Sequence, residues 1–200
     1  MELQRAVLSQ HKCVTYFCDK RFLLLLMFLD YGVEPFYYER GHDFYKDGQN
    51  YALASLLYTV GPTLLGKAAF DDLLAAFQRA VKEKTLLALD ALVKAARQLN
   101  WRELPEALGP LALNSPECLS AIATPGVSTD AAMVVLQSLI SRMEVMAAGP
   151  YRVEHDQSKN LLTYHELLQR YIDHQHEVEF RQTQIGSISF PLKLSSVTQV

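Results

Sequence analysis

The chain has 200 residues, half of them hydrophobic and a fifth charged, with a formal net charge of −3 and a pI near 6.1. That composition excludes disorder as the default state, and at this length one core can enclose roughly 70% of the unfolded surface. The 19 basic residues are spread along the chain, which speaks against nucleic acid as a partner, and the three cysteines (Cys13, Cys18, Cys118) exclude a disulfide framework.

Free thiols suit a reducing compartment. The longest unbroken apolar run, Phe22 to Leu29, is too short to cross a bilayer, and Asp30 follows it without a small-residue cleavage pattern. The first turns are neither Arg-rich nor free of acid, unlike a mitochondrial presequence. An intracellular protein, cytoplasmic or nuclear, with no transmembrane segment is the expectation.

Apolar residues recur at helical intervals from Leu3 through Val7, Val14 and Phe17, predicting one or two helices that end before Asp30-Tyr31-Gly32. Residues 33–49 carry Pro35, Gly41 and Asp47-Gly48 and read as a short helix plus loop. A helix over about 50–60 should bury Leu53, Leu56, Leu57 and Val60 and stop at Gly61-Pro62. The clearest stripe follows: Phe70, Leu73, Leu74, Phe77 and Val81, with Asp71, Asp72, Gln78, Arg79 and Lys82 facing outward. It resumes at Leu89, Leu92, Val93, Ala96 and Leu99. Typical helix lengths favour a hairpin near Lys84-Thr85 over one long helix.

Pro105, Gly109 and Pro110 should break residues 101–113 into short turns. Ser115-Pro116-Glu117 is a helix start, and Thr124-Pro125-Gly126 a stop. Ser128 or Thr129 should cap a helix reaching Ala147. Its Val134, Val135, Leu136, Leu139, Ile140 and Met143 cover most of the circumference and predict a place in mid-core. Thr163 and Glu166 form a capping box, with Leu162 and Leu167 as a staple. Beyond Glu179, Ile188, Phe190, Leu192 and Leu194 alternate with polar residues or Pro191, the pattern of an extended strand. Pro191 confines it to an edge or a lone strap, and no partner strand is evident. The fold class is all-α: an irregular multi-helix bundle or orthogonal array with an extended C-terminal tail. A single helical domain spans 1–178, with an aromatic-rich part at 1–49 and a helical body at 50–178, and the tail spans 179–200.

Several catalytic and metal patterns begin and fail. Gly61 to Lys67 has phosphate-loop spacing, but Ala68 stands where a hydroxyl should reach magnesium and a helix, not a strand, precedes it. Asp43, Asp47 and Gly48 fit part of a calcium loop, whereas Tyr45 and Ala54 occupy ligand positions. His11, Cys13 and Cys18 lack a fourth zinc ligand. The richest titratable cluster is His155, Asp156, His165, Glu166, Asp173, His174, His176 and Glu177. Gln169 stands where a metalloprotease helix needs its second histidine, so a solvated polar face is the better account. No catalytic residue, cofactor or metal is assigned.

Eleven of the twenty aromatic residues fall between Tyr16 and Tyr51, where six acidic side chains meet four basic ones. Tyrosine is enriched at the centres of protein interfaces. The expected function is a non-catalytic helical interaction subunit or adaptor. It would bind a protein partner through Tyr31, Tyr37, Tyr38 and Tyr45 and through Ile188, Phe190, Leu192, Leu194 and Val200, the last as a C-terminal apolar residue. The alternatives are a self-associating viral or organellar structural protein, in which homo-oligomers form, and a small metal-dependent hydrolase using the His/Asp/Glu cluster at 155–176.

Overall fold

The computed structural model describes residues 5–6, 9–11, 15–146, 152–155, 184–185, 188–189 and 196–199, with backbone alone at some positions of 132–146. The chain forms two compact units, Asp19–Thr129 on one hand and Met1–Cys18 with Asp130–Val200 on the other.

The unit Asp19–Thr129 is an irregular array of helices, as the all-α reading requires. Asp19 opens α1 (Lys20–Gly32) by accepting from the backbone N–H groups of Arg21 and Phe22. Residues 5–6 and 9–10 are helical and 15–19 are not. The helix also runs through Asp30-Tyr31-Gly32 instead of stopping before it. Gly32 is not a terminator here; its bare Cα lets Leu111 pack against the helix, with Cδ1 3.0 Å from where a Cβ would stand. The short α2 (Glu34–Tyr38) follows, with Pro35 in its first turn, then a loop and a single 3₁₀ turn at Lys46–Gly48.

Helix α3 (Gln49–Thr59) lies where expected, but its buried residues are Asn50, Ala54 and Leu57. Leu56 and Val60 are exposed and Leu53 is half-buried, so the predicted stripe is rotated away from the core. Gly61-Pro62 ends α3 and also starts the one-turn α4 (Gly61–Leu64). Helices α5 (Lys67–Glu83) and α6 (Leu86–Gln98) form the expected hairpin. Lys84 adopts left-handed φ of 53° between them, and the Thr85 side chain caps α6 by accepting from the Ala88 N–H. Every residue of both predicted stripes is buried.

Pro105–Ala112 is a continuous eight-residue helix, α7, rather than broken turns, and Ala107 to Ala112 are all buried. A 3₁₀ turn at Trp101–Glu103 precedes it. Ser115 caps α8 (Pro116–Ala123) as predicted, and Thr124 closes it. Helix α1 is the axle of the unit: it packs on α2, α3, α5, α7 and α8. Its Leu25, Phe28 and Leu29 are wholly buried, and the Phe28 ring meets Phe77 of α5 edge-on at 5.4 Å.

In the other unit α9 spans Ala132–Met146. At its start the Ala132 N–H donates to the Asp130 side chain. Of its expected core positions Val134 is exposed and Val135, Leu136 and Leu139 are half-buried, while the side chains of Ile140 and Met143 lie outside the described residues. The tail has strand partners after all. Strand β1 (Arg152–His155) pairs in parallel with β4 (Ser196–Gln199), and β2 (Gln184–Ile185) pairs antiparallel with β3 (Ile188–Ser189). The capping box at Thr163 and Glu166 lies outside the described residues. Among the described residues, no helix is long and apolar enough to cross a membrane.

Candidate functional site

Glu34-Pro35 starts α2 and brings Phe36, Tyr37 and Tyr38 into one turn. Their environments then diverge. Tyr38 is 69% exposed, while Tyr37 turns inward. The Phe36 ring meets Tyr37 edge-on at 5.3 Å, Phe44 stacks on it at 5.6 Å with 13° between planes, and His42 tilts against it at 5.6 Å. Phe44 is buried.

The Tyr37 hydroxyl donates to the backbone carbonyl of Glu106 at 3.2 Å. That oxygen is the one a helical residue at 110 would bond, and Pro110 has no N–H to offer. The phenol therefore bonds the carbonyl that proline leaves without its helical donor. Burial and the nearby Glu106 raise the Tyr37 phenol above its ordinary range, so it stays a donor.

Above this floor is a groove of about 650 Å³, lined by Tyr37, His42, Phe44 and Glu106 and by Gln49, Ala52, Leu53 and Leu56 of α3, with mostly apolar walls. His42 Nε2 lies 3.1 Å from Gln49 Oε1 and ties the loop wall to the start of α3. The same loop is tied to α1 by Tyr45, whose hydroxyl donates to Asp30 Oδ1 at 3.3 Å. Burial lifts the Asp30 carboxyl to about 6, with Glu34 adding to the rise. Burial first, and then Asp30, raises the phenols of Tyr45 and Tyr31. Glu34 is raised by burial and by Asp43. Arg40 lies over the Phe36 ring at 3.5 Å and pairs with Glu117 at 3.7 Å, so this cation is already engaged.

Comparison with known protein families, with curated proteins and with solved structures gives no match. The site is therefore read from its own chemistry. It offers an aromatic floor, apolar walls and an acidic surround: a surface for holding a side chain or a short segment.

Of the residues expected to bind, Tyr37 lines the groove, Tyr38 stands exposed on the same helix, Tyr45 braces the loop and Tyr31 is half-buried on α1. Ile188 lies in β3 opposite Ile185. Phe190, Leu192, Leu194 and Val200 lie outside the described residues, as does all of the titratable cluster except His155, which sits opposite Gln199. Sequence reasoning missed His42, Gln49, Ala52 and Glu106. Nothing local marks them, although Pro110 signalled that the Glu106 carbonyl would need a donor.

The near-miss motifs have structural jobs. Gly61 sits where a Cβ would stand 2.9 Å from the Phe70 ring, and Gly66 takes φ of 82° between α4 and α5. Lys67 reaches Asp71 one turn along α5 at 3.5 Å. Asp43 accepts from the Tyr45 N–H and Ala54 is buried in α3, which accounts for the calcium-loop fragment. Among the described residues, no three His, Cys, Asp or Glu side chains converge as metal ligands.

Proposed function

We propose that this protein is a non-catalytic helical interaction subunit that takes an apolar segment of a protein partner, flanked by basic residues, into the groove between the 37–44 aromatics and α3. The observation that carries this reading is the groove itself, with the stacked Tyr37 and Phe44 rings as floor and Ala52, Leu53 and Leu56 as wall. Aromatic anchors of this kind dominate interface energetics, because they bury large rigid area at small entropic cost. The acidic excess across residues 16–51, six against four, favours a basic flank on the partner. The C-terminal segment around Ile188 is a second contact in this reading, by strand addition.

A photo-reactive amino acid placed at His42 or at Ala52, both exposed, tests the proposal in the native cell. One and the same protein adduct is expected from both positions, and none from Arg79 on the outer face of α5. Equal labelling from Arg79, or none from 42 and 52, sinks it.

A further inference from the structure

Helices α7 and α8 open alike. Each has eight residues and begins Pro-Glu, so Glu106 and Glu117 hold the same place in the first turn of their helices. Helix α2 and the residues just after it reach both starts: the Tyr37 hydroxyl meets the Glu106 carbonyl, and the Arg40 guanidinium pairs with the Glu117 carboxylate at 3.7 Å. Arg40 also lies over the Phe36 ring at 3.5 Å. At Glu117, then, an aromatic ring, a guanidinium and a carboxylate stand together. Arginine suits that combination better than lysine, because its planar fork stacks and pairs at once.

At Glu106 two of the three parts are present. Tyr37, next in the chain to Phe36, lines the groove together with Glu106, which is the one carboxylate in that lining. The two groups feel each other, since after burial it is the Glu106 charge that raises the Tyr37 phenol. Among the described residues no basic side chain lies within ion-pair distance of Glu106. The helix dipole favours an acid in the first turn. It acts on Glu117 as well, however, and there the chain adds a cation. The α3 wall of the same groove is alkyl, with Leu53 and Leu56, and such a surface accepts the methylene stem of a long basic side chain.

We propose that the groove selects an arginine of the partner, its stem along Leu53 and Leu56 and its guanidinium on Glu106 beside Tyr37, as Arg40 docks on Glu117 beside Phe36. This inference rests on the groove reading above and sharpens it: the basic flank becomes one residue type at one place, chosen by Glu106. At about 650 Å³ the groove has room for that side chain and an apolar neighbour. A lysine ammonium is a point charge that neither stacks nor forks, so it is held less well. Glu106 is exposed, so the pair gives a discrimination of a few-fold and not of orders of magnitude.

NMR titration of the isotope-labelled full chain at low salt, with blocked dipeptides, measures this. Acetyl-leucyl-arginine amide is expected to shift the backbone amides of Tyr37, Leu53 and Glu106. It should bind about threefold to fivefold more tightly than its uncharged isostere, acetyl-leucyl-citrulline amide, with the lysine analogue between them. In Glu106→Gln, which keeps the backbone carbonyl that Tyr37 bonds, the arginine and citrulline probes should bind alike. Glu39→Gln, at an exposed acid outside the groove lining, should keep the wild-type ratio. Equal affinity of the arginine and citrulline probes for the wild type overturns the proposal, as does a lysine probe that binds as tightly as arginine. So does a ratio that survives Glu106→Gln or that Glu39→Gln also abolishes, or an absence of groove shifts up to about 20 mM probe. The groove reading stands or falls by labelling from His42 and Ala52, so an adduct from those positions together with indifferent probes sinks the arginine assignment alone.

Discussion

Helices α5 and α3 sit in the same unit and obey opposite rules. On α5 the apolar positions fall in one stripe, and Phe70, Leu73, Leu74, Phe77, Ala80 and Val81 are all buried. On α3 apolar residues surround the axis, and the three buried positions include a polar one, Asn50. A striped helix states which side meets the core. A helix without a stripe leaves that choice to its neighbours, and α1 takes only a narrow arc of α3.

Mutations should separate the two most sharply in stability. Phe77→Ala on α5 removes a wholly buried ring that packs edge-on with Phe28, and is expected to cost about 3–5 kcal/mol in urea unfolding. Leu56→Ala on α3 is expected to cost about 1 kcal/mol, because its side chain is 41% exposed and far less of it leaves water on folding. Equal costs would mean that α3 is packed as tightly as α5, and would remove the open α3 wall on which the proposed groove rests.

Between these extremes lie the ties that hold the groove. Asp30 has an ordinary carboxyl value of 3.8 and titrates near 6 in the fold, so the native state binds the extra proton. Stability from this group is therefore full below about pH 4 and lost as pH rises through 6. Asp30→Asn keeps an oxygen to accept from Tyr45 and removes the buried charge. It is expected to raise stability by about 1–2 kcal/mol at pH 7.5 and to flatten the pH dependence between 4 and 6. A variant that is destabilised at pH 7.5 would show that the carboxylate is instead held by a favourable partner. Tyr37→Phe retains the ring stack and deletes the donor to the Glu106 carbonyl, with an expected loss of about 1 kcal/mol and faster amide exchange in α7 than in α6.

The sequence by itself determined the helical class, the paired stripes of α5 and α6 and the start of α8 at Ser115. Each of these is written in short-range terms: a period of 3.6 residues, a capping side chain, a proline at the first turn. Only the tertiary structure decided which arc of α3 is covered, that Pro110 sits inside an intact helix, and that Tyr37 works as that helix's donor. The tail's strand pairings, too, came only with the structure: β1 and β4 meet 44 residues apart in register. Tyr37 and the Glu106 carbonyl are 69 residues apart in the chain. Two groups so separated satisfy each other only after the helices between them have packed, and no local pattern records that meeting.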